Sequence, residues 1–218
     1  MSVTSPTRFG RTVLWGGTLI AVGVVQFSAA MAWVQSQYPG YSLLTNYISD
    51  LGNTSTSPAH AVFNVSIMVL GLLAFLGTLL AWGGFPRGGP RVAGLFLILV
   101  ASVAAVLVGV FPENVNPTVH DLVSLLVFLP GGLGLCLLSL GMRAGTFWSS
   151  YRGLTLGLGA ITLVSLAYYA PTQQWNITWD PGLVERLIVF PILVWGFVAG
   201  LRLVTLPRYS PSARPSSP

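Results

Sequence analysis

Residues 92–111 read VAGLFLILVASVAAVLVGVF, a run of 20 residues without a charged side chain. At about 1.5 Å of helix rise per residue, this run is long enough to cross the roughly 30 Å of hydrocarbon in a bilayer. An isolated strand would leave its backbone groups without hydrogen-bond partners in lipid. The run therefore predicts a transmembrane helix.

Five similar stretches flank this run along the chain. They cover residues 12–34, 59–82, 119–141, 153–170 and 183–206. Only 7% of the residues are charged, against about 25% in soluble domains, so lipid must be the main solvent. We predict an all-α polytopic membrane protein: residues 1–206 form a six-helix transmembrane domain of three helical hairpins. We expect the first stretch to be retained rather than cleaved, since it is longer than the apolar region of a signal peptide.

The charges separate onto two sides of the predicted helices. Nine of the ten arginines lie on one side: Arg8, Arg11, Arg87, Arg91, Arg143, Arg152, Arg202, Arg208 and Arg214. The other side holds all five acidic residues and Arg186. The arginine side is predicted to be cytoplasmic, which places both termini in the cytoplasm and the protein in the inner or plasma membrane. The arginines form no basic stripe, so we expect no nucleic-acid partner. Residues 207–218, rich in Pro and Ser, predict a disordered cytoplasmic tail.

The first outer connection, residues 35–58, is longer than most loops. Its apolar residues between Leu43 and Leu51 fall on one face of a helix, and Gly52 follows as a stop signal. The pattern predicts a short interfacial helix that lies across the mouth of the bundle as a lid.

Three helices that start on the outer side share an entry signal. Ser57-Pro58, Asn116-Pro117 and Asp180-Pro181 each place an N-cap residue before a proline at the first helical position. Ionisable residues follow each start at similar depth, which predicts a polar pocket facing the outside. The candidates for this pocket are Asp50, His60, Glu113, His120, Asp121, Glu185 and Arg186.

His60 and His120 invite comparison with a zinc or haem site, with carboxylates as further zinc ligands. The sequence completes no ligand motif, and the alternative is that each histidine is a hydrogen-bonded group at a wet interface. We expect neither a metal nor another cofactor.

Arg186 is the single arginine on the outer side, and a guanidinium stays charged at any physiological pH. We expect a structural ion pair with an outer carboxylate, with Asp50 as the first choice. The alternative is a site for an anion or a lipid headgroup. Pro130 and Pro191 fall inside two predicted helices and should kink them, which would open a cavity between them.

Three segments carry a resemblance to a known family. They are NYISDLGNTSTSPAHAVFN at 46–64, GVFPENVNPTVHD at 109–121 and PGLVERL at 181–187. The chain resembles the uncharacterised prokaryotic membrane family called domain of unknown function 998, over nearly its whole length. The resemblance implies a six-helix integral membrane protein and supplies no activity.

These observations favour a protein that binds or transports a small or lipidic ligand through its outward-facing pocket, or that serves in an envelope complex. The lipid bilayer is the expected partner. The alternative is a membrane-embedded enzyme, metal-dependent or not, that acts on lipid at the outer leaflet.

Overall fold

The computed structural model describes residues 8–175 and 180–206, and six α-helices make up most of this part of the chain. The helices are α1 Arg8–Gln37, α2 His60–Ala81, α3 Gly89–Val110, α4 Pro117–Gly141, α5 Arg152–Trp175 and α6 Pro181–Thr205. The predicted tail at 207–218 lies outside the described residues.

Five of these helices, all except α5, are long and apolar enough to cross a membrane. Their outward faces carry large apolar side chains such as Phe96, Leu72 and Val65, which are 60%, 53% and 57% exposed. Such a surface suits lipid rather than water. The chain is therefore a helical, multi-pass membrane protein, as predicted. The sixth span and the three-hairpin arrangement stay predictions.

The helices form a closed ring in chain order. Each helix packs against the next one along the chain, and α1 packs against α6 to close the ring. Across the centre, α4 makes a few contacts with α6. The interface between α1 and α6, which we call the seam, joins two helices that are far apart in the sequence.

Glycines let neighbouring helices approach closely. A Cβ atom on Gly17 of α1 would lie 2.6 Å from the carbonyl oxygen of Gly200 on α6, and one on Gly134 of α4 would lie 2.9 Å from that of Gly94 on α3. Small residues allow this backbone contact, which drives helix association where lipid provides no hydrophobic force. The close helix contact that the glycine-rich runs favour is thus present at these positions.

The two ends of the ring differ in chemistry. The acidic pole contains residues 38–59, residues 111–116 and the start of α6, and the arginine pole contains residues 82–88, residues 142–151 and the end of α6. Side chains join the segments within each pole. At the acidic pole Asn114 Nδ2 donates to Thr54 Oγ1 at 2.8 Å, and at the arginine pole Trp148 Nε1 donates to the Gly84 carbonyl at 2.9 Å.

Three stacked aromatic residues, the aromatic floor, close the ring toward the arginine pole. Phe85 stacks on Trp148 with ring centres 5.2 Å apart and on Trp195 at 6.2 Å. All three are at most 6% exposed. Beside them Arg202 lies over the Phe147 ring at 3.5 Å. This end of the ring is therefore filled by packed side chains.

The predicted interfacial helix at Leu43–Leu51 is wrong. This segment forms turns, followed by one 3-10 turn at Ser49–Gly52. Side chains take the backbone N–H groups that a helix would use: Asp50 Oδ2 accepts from Tyr47 N, and Asn46 Oδ1 accepts from Ser42 N. Such local bonds compete with helix formation. The segment from residue 38 to residue 57, which we call the lid, nevertheless lies over the ring, with Ile48 and Leu51 4% and 0% exposed.

The shared entry signal places the helix start correctly at α4 and α6, and it gives a side-chain cap bond at α4. Asn116 caps α4 by accepting from Val119 N at 3.2 Å. The N-cap of α2 is Ala59, whose φ of −117° and ψ of 25° are not helical, so the helix does not reach back to Ser57. Asp180 has a left-handed φ of 48° and makes no side-chain cap bond. The cap predicted at Ser57 is therefore wrong. At the start of α6, Asp180 is the N-cap and Pro181 begins the helix as predicted, but the side-chain bond is not made.

Candidate functional site

A cavity of about 140 Å³ occupies the centre of the ring beneath the lid. Helices α1, α2, α3, α4 and α6 and the lid contribute its walls. Along α4 the lining residues run from His120 to Leu135, which is about 22 Å at the helical rise of 1.5 Å per residue. The cavity is therefore long and narrow. Trp195 of the aromatic floor lines its deep end, and Ile48 and Ser49 of the lid line its shallow end.

Apolar side chains and glycines make up most of the lining. The residues that follow the two helical prolines, Gly131 and Ile192, both line the cavity, and the kinks expected at the prolines stay a prediction. A Cβ atom on Gly131 would lie 2.8 Å from Ile192 Cδ1. The lack of a side chain at 131 therefore leaves room where α4 and α6 face each other.

Polar groups gather at the lid end of the cavity. Glu185 on α6, His120 and Ser124 on α4 and Ser49 in the lid all line it. Ser124 follows His120 by one helical turn, which places both on the same face of α4. Glu185 Oε2 also accepts the backbone N–H of Ile48. The Glu185 carboxylate thus touches both the cavity and the lid.

The hydrogen bond of His120 determines which of its ring nitrogens carries the hydrogen. Its Nδ1 lies 2.8 Å from the Phe111 carbonyl oxygen, and a carbonyl can only accept, so Nδ1 carries the hydrogen. In the neutral ring Nε2 is then an acceptor. Together with the Glu185 carboxylate, this end of the cavity offers hydrogen-bond acceptors to anything that enters.

A second layer of carboxyl groups lies above the cavity. Asn53 Nδ2 donates to Glu113 Oε1 at 3.2 Å, and Asn46 Nδ2 donates to Asp50 Oδ2 at 3.0 Å. Burial raises the pKa of Glu113, hydrogen bonds from Ser49 and Asn53 oppose this, and the nearby Asp50 carboxylate raises it further. The acidic pole therefore concentrates negative charge under and within the lid.

The raised pKa of Glu113 makes stability depend on pH. At pH values above 4.5, the ordinary pKa of this carboxyl group, the folded protein holds the Glu113 proton more tightly than the unfolded chain does. Lowering the pH toward 4.5 therefore stabilises the fold. We expect Glu113→Gln to raise the free energy of unfolding at pH 7, by less than about 1 kcal/mol because the group is only partly buried. It should also flatten the gain on acidification. Thermal unfolding in detergent between pH 4.5 and 8 measures both effects.

The matched control for this prediction is Asp121→Asn, since Asp121 is exposed. It should leave the pH profile near that of the wild type. A Glu113→Gln profile as steep as the wild-type profile would contradict the assignment.

Arg186 joins α6 to the lid. It is 7% exposed. Its NH1 group donates to the Gly182 carbonyl at 2.7 Å and the Asn46 carbonyl at 2.9 Å, and NH2 donates to Tyr41 Oη at 2.8 Å. The expected direct bond to Asp50 is not among these contacts. Asn46 links the two instead, since its carbonyl accepts from Arg186 and its amide donates to Asp50. We call this set of bonds the Arg186 clamp.

Tyr41 completes the clamp as a neutral phenol. Burial raises its pKa to about 12, although the neighbouring Arg186 charge opposes the rise. Its hydroxyl accepts from Arg186 and donates to the Tyr47 carbonyl at 2.8 Å. The hydroxyl is thus used in both directions to hold the lid.

The seven candidates from the sequence fall into three places. His120 and Glu185 line the cavity, and Asp50, Glu113 and Arg186 hold the lid. The remaining two lie apart: His60 Nδ1 bonds the Ser57 carbonyl of its own helix start at 2.9 Å, and Asp121 is exposed. Across residues 8–175 and 180–206, no three His, Cys, Asp or Glu side chains group as metal ligands would. The geometry gives the zinc alternative no support.

Several residues of the site escaped the sequence reading. Tyr41 and Asn46 were missed because their roles depend on how the lid folds onto α6. Ser124 could have been found, since it lies four residues after His120 on the same helix face. Trp195 carries no sequence signal for a cavity floor, because an apolar helix gives an aromatic residue many possible neighbours.

The sequence of the chain matches the model of a known protein family. The model of a family of proteins of unknown function, DUF998, matches residues 21–202. The chain belongs to this family. The matched residues include the lid, the Arg186 clamp and most of the residues that line the cavity, and the match confirms the resemblance seen in the sequence. No curated protein and no solved structure matches the chain.

Proposed function

We propose that this DUF998 member binds a single-chain amphiphile whose head donates hydrogen bonds, such as a long-chain alcohol or amine. One observation carries the proposal. A narrow apolar cavity runs from the aromatic floor to the lid, and its lid end is lined by the acceptors Glu185 and His120. A hydrocarbon chain suits the walls, and a donor head suits this end.

The size of the cavity favours one chain over two. Its volume of about 140 Å³ is close to that of an engineered cavity of about 150 Å³ that holds benzene, and below the roughly 300 Å³ at which pockets for drug-sized ligands begin. The lining nevertheless extends over about 22 Å of α4. A two-chain phospholipid is too large for this cavity, and a single chain follows its shape but must push the lining side chains apart as it enters.

The charges favour a donor head over an anion. Three of the five N–H groups of Arg186 are engaged within the Arg186 clamp, and Arg186 does not line the cavity. The ionisable groups that do line it are Glu185 and His120. An alcohol or an ammonium would satisfy these acceptors, whereas a carboxylate or phosphate would place its own acceptor oxygens against them.

The position of the aromatic floor favours binding over passage along the centre of the ring. Phe85, Trp148 and Trp195 stack below the cavity. We further propose that all six helices span the membrane, that the acidic pole faces the outside and that both termini are cytoplasmic, following the arginine distribution. The ligand head then lies near the outer membrane surface.

A heavy-atom quencher tests the proposal. The full chain is placed in phosphatidylcholine nanodiscs and titrated with undecanol that carries a terminal bromine. The bromine should reach the floor and quench Trp195, so the saturable part of the quenching should vanish in Trp195→Phe. Glu185→Gln should weaken the apparent affinity about tenfold, because it replaces a carboxyl group by an amide that is a poorer acceptor for the ligand head.

Three controls define the result. Asp121→Asn should bind like the wild type. A two-chain brominated phosphatidylcholine should quench the exposed Trp15 and Trp33, which are 57% and 50% exposed, but not Trp195. Bromine-terminated undecanoate should bind more weakly than the alcohol. If the alcohol leaves Trp195 unquenched, the proposal is wrong.

The enzyme alternative has no supporting observation in the described residues. Their His, Cys, Asp and Glu side chains form no ligand group, and both histidines use Nδ1 to bond backbone carbonyls. We therefore propose no reaction at this site.

A further inference from the structure

An open apolar groove of about 340 Å³ runs along the outside of the seam between α1 and α6. Its lining residues are Val24, Val25, Ser28, Phe190, Leu193, Val194 and Phe197. Val25 and Val194 are 53% and 45% exposed. Both helices are among those apolar enough to cross a membrane, so this surface faces hydrocarbon.

Two residues belong to both the groove and the central cavity. Val24 of α1 and Leu193 of α6 line each of them. They are buried at 9% and 7% exposure. At this level, therefore, a wall one side chain thick separates the cavity from the surrounding lipid.

The backbone of α6 is weakened at the same level. Pro191 lies inside the helix and cannot donate the backbone bond that would hold the preceding turn. Gly196 has no side chain to fill the seam, and a Cβ atom there would lie 3.3 Å from Val24 Cγ2. Near the wall, α6 thus lacks one backbone hydrogen bond, and Gly196 lets the Val24 side chain pack directly on its backbone.

The two ways into the cavity differ in the bonds that must break. The lid is held by the Arg186 clamp, by Glu185 and by Asn64, whose Nδ2 donates to the Gly52 carbonyl at 3.0 Å. Val24 and Leu193 have only apolar side chains. Dispersion contacts between apolar groups are individually weak, and in lipid their separation exposes no unsatisfied polar group.

We infer that the seam at Val24 and Leu193 is a lateral portal, through which a hydrocarbon chain enters the cavity from the bilayer. This inference rests on the proposed function, because it names the source and route of the same ligand. The occupant of the groove is the tail of the single-chain amphiphile. Rotation of the Leu193 side chain would join the groove to the cavity without opening the lid.

The rate of Trp195 quenching tests the portal. Vesicles that contain bromine-terminated undecanol are mixed by stopped flow with proteoliposomes of the full chain. Val25→Phe places bulk in the groove but not in the cavity wall, and should slow the quenching of Trp195 about tenfold. Leu193→Ala thins the wall and should speed it. Val65→Phe, at a valine on α2 that is 57% exposed, is the matched control and should keep the wild-type rate.

The outcomes separate the two proposals. Saturable quenching at equilibrium with the expected rate changes supports both. Quenching at equilibrium with unchanged rates in Val25→Phe and Leu193→Ala overturns the portal and leaves the proposed binding function intact. A rate that changes in Tyr41→Phe instead has the same meaning, and it would place the entrance at the lid. Absence of quenching at equilibrium overturns the binding function itself. Equal equilibrium quenching in Val25→Phe and the wild type verifies that the variant is folded.

Discussion

Replacement of Arg186 by alanine is expected to lower the free energy of unfolding by about 3 kcal/mol or more. The guanidinium is buried and donates to two backbone carbonyls and to Tyr41. Alanine would leave the Asn46 carbonyl and the Tyr41 hydroxyl without this donor and release the lid from α6. Thermal unfolding of purified protein in detergent measures the loss.

Two further variants test the geometry of the clamp. Arg186→Lys keeps the charge, but an ammonium lacks the planar fork that reaches several acceptors at once, so its loss should be intermediate. Tyr41→Phe removes one bond and should cost about 1–2 kcal/mol. Because Arg186 and Tyr41 touch, the double variant should lose less than the sum of the two single losses.

The control for Arg186 is Arg152→Ala, because Arg152 is exposed at the start of α5. Its effect should stay within about 0.5 kcal/mol of the wild type. The clamp would be disproved if Arg186→Ala unfolded at the same temperature as Arg152→Ala.

The second large effect is expected at the other pole. Trp148→Ala should lower the free energy of unfolding by about 3–5 kcal/mol, the range for truncating a buried aromatic residue. Trp148 is 3% exposed, stacks on Phe85 and donates to the Gly84 carbonyl. Its loss leaves a void beneath Trp195 and an unpaired carbonyl. Thermal unfolding in detergent again provides the measurement.

Trp148→Phe separates the two contributions, since it keeps a ring and removes the indole N–H. It should recover part of the loss. Trp33→Ala is the control, because Trp33 is half exposed on α1 and should cost little. Similar losses for Trp148→Ala and Trp33→Ala would show that the aromatic floor does not stabilise the ring.

The sequence predicted the helices well because their signal is local. The apolar run at 92–111 closely matches α3 at Gly89–Val110, and the proline at 117 begins α4. Hydropathy and helix-start residues act within one segment and need no knowledge of neighbours. The same reasoning wrongly predicted a helix at Leu43–Leu51. The amphipathic pattern is present there, but the side chains of Asn46, Asp50 and Glu185 accept hydrogen bonds from backbone N–H groups of the lid.

The site was less predictable because it depends on distant contacts. The position of ionisable residues near the helix starts of the acidic pole pointed to Glu185 and His120, which both line the cavity. It could not show that Arg186 would face the lid rather than the cavity. Nor could it show that Trp195 would end the cavity, since that depends on Phe85 from the connection between α2 and α3.

The closed ring has a consequence for how the chain is made. Every helix except the first can dock on its predecessor as soon as it leaves the ribosome, because neighbours in the ring are neighbours in the sequence. The seam, where α1 packs against α6, must wait for the sixth helix. Until α6 arrives there is no Glu185, no Arg186 and no seam, so the growing protein is an open crescent with its inner surface against lipid. Synthesis therefore encloses the central cavity only when α6 is added, and a truncated product that lacks α6 would have no enclosed cavity.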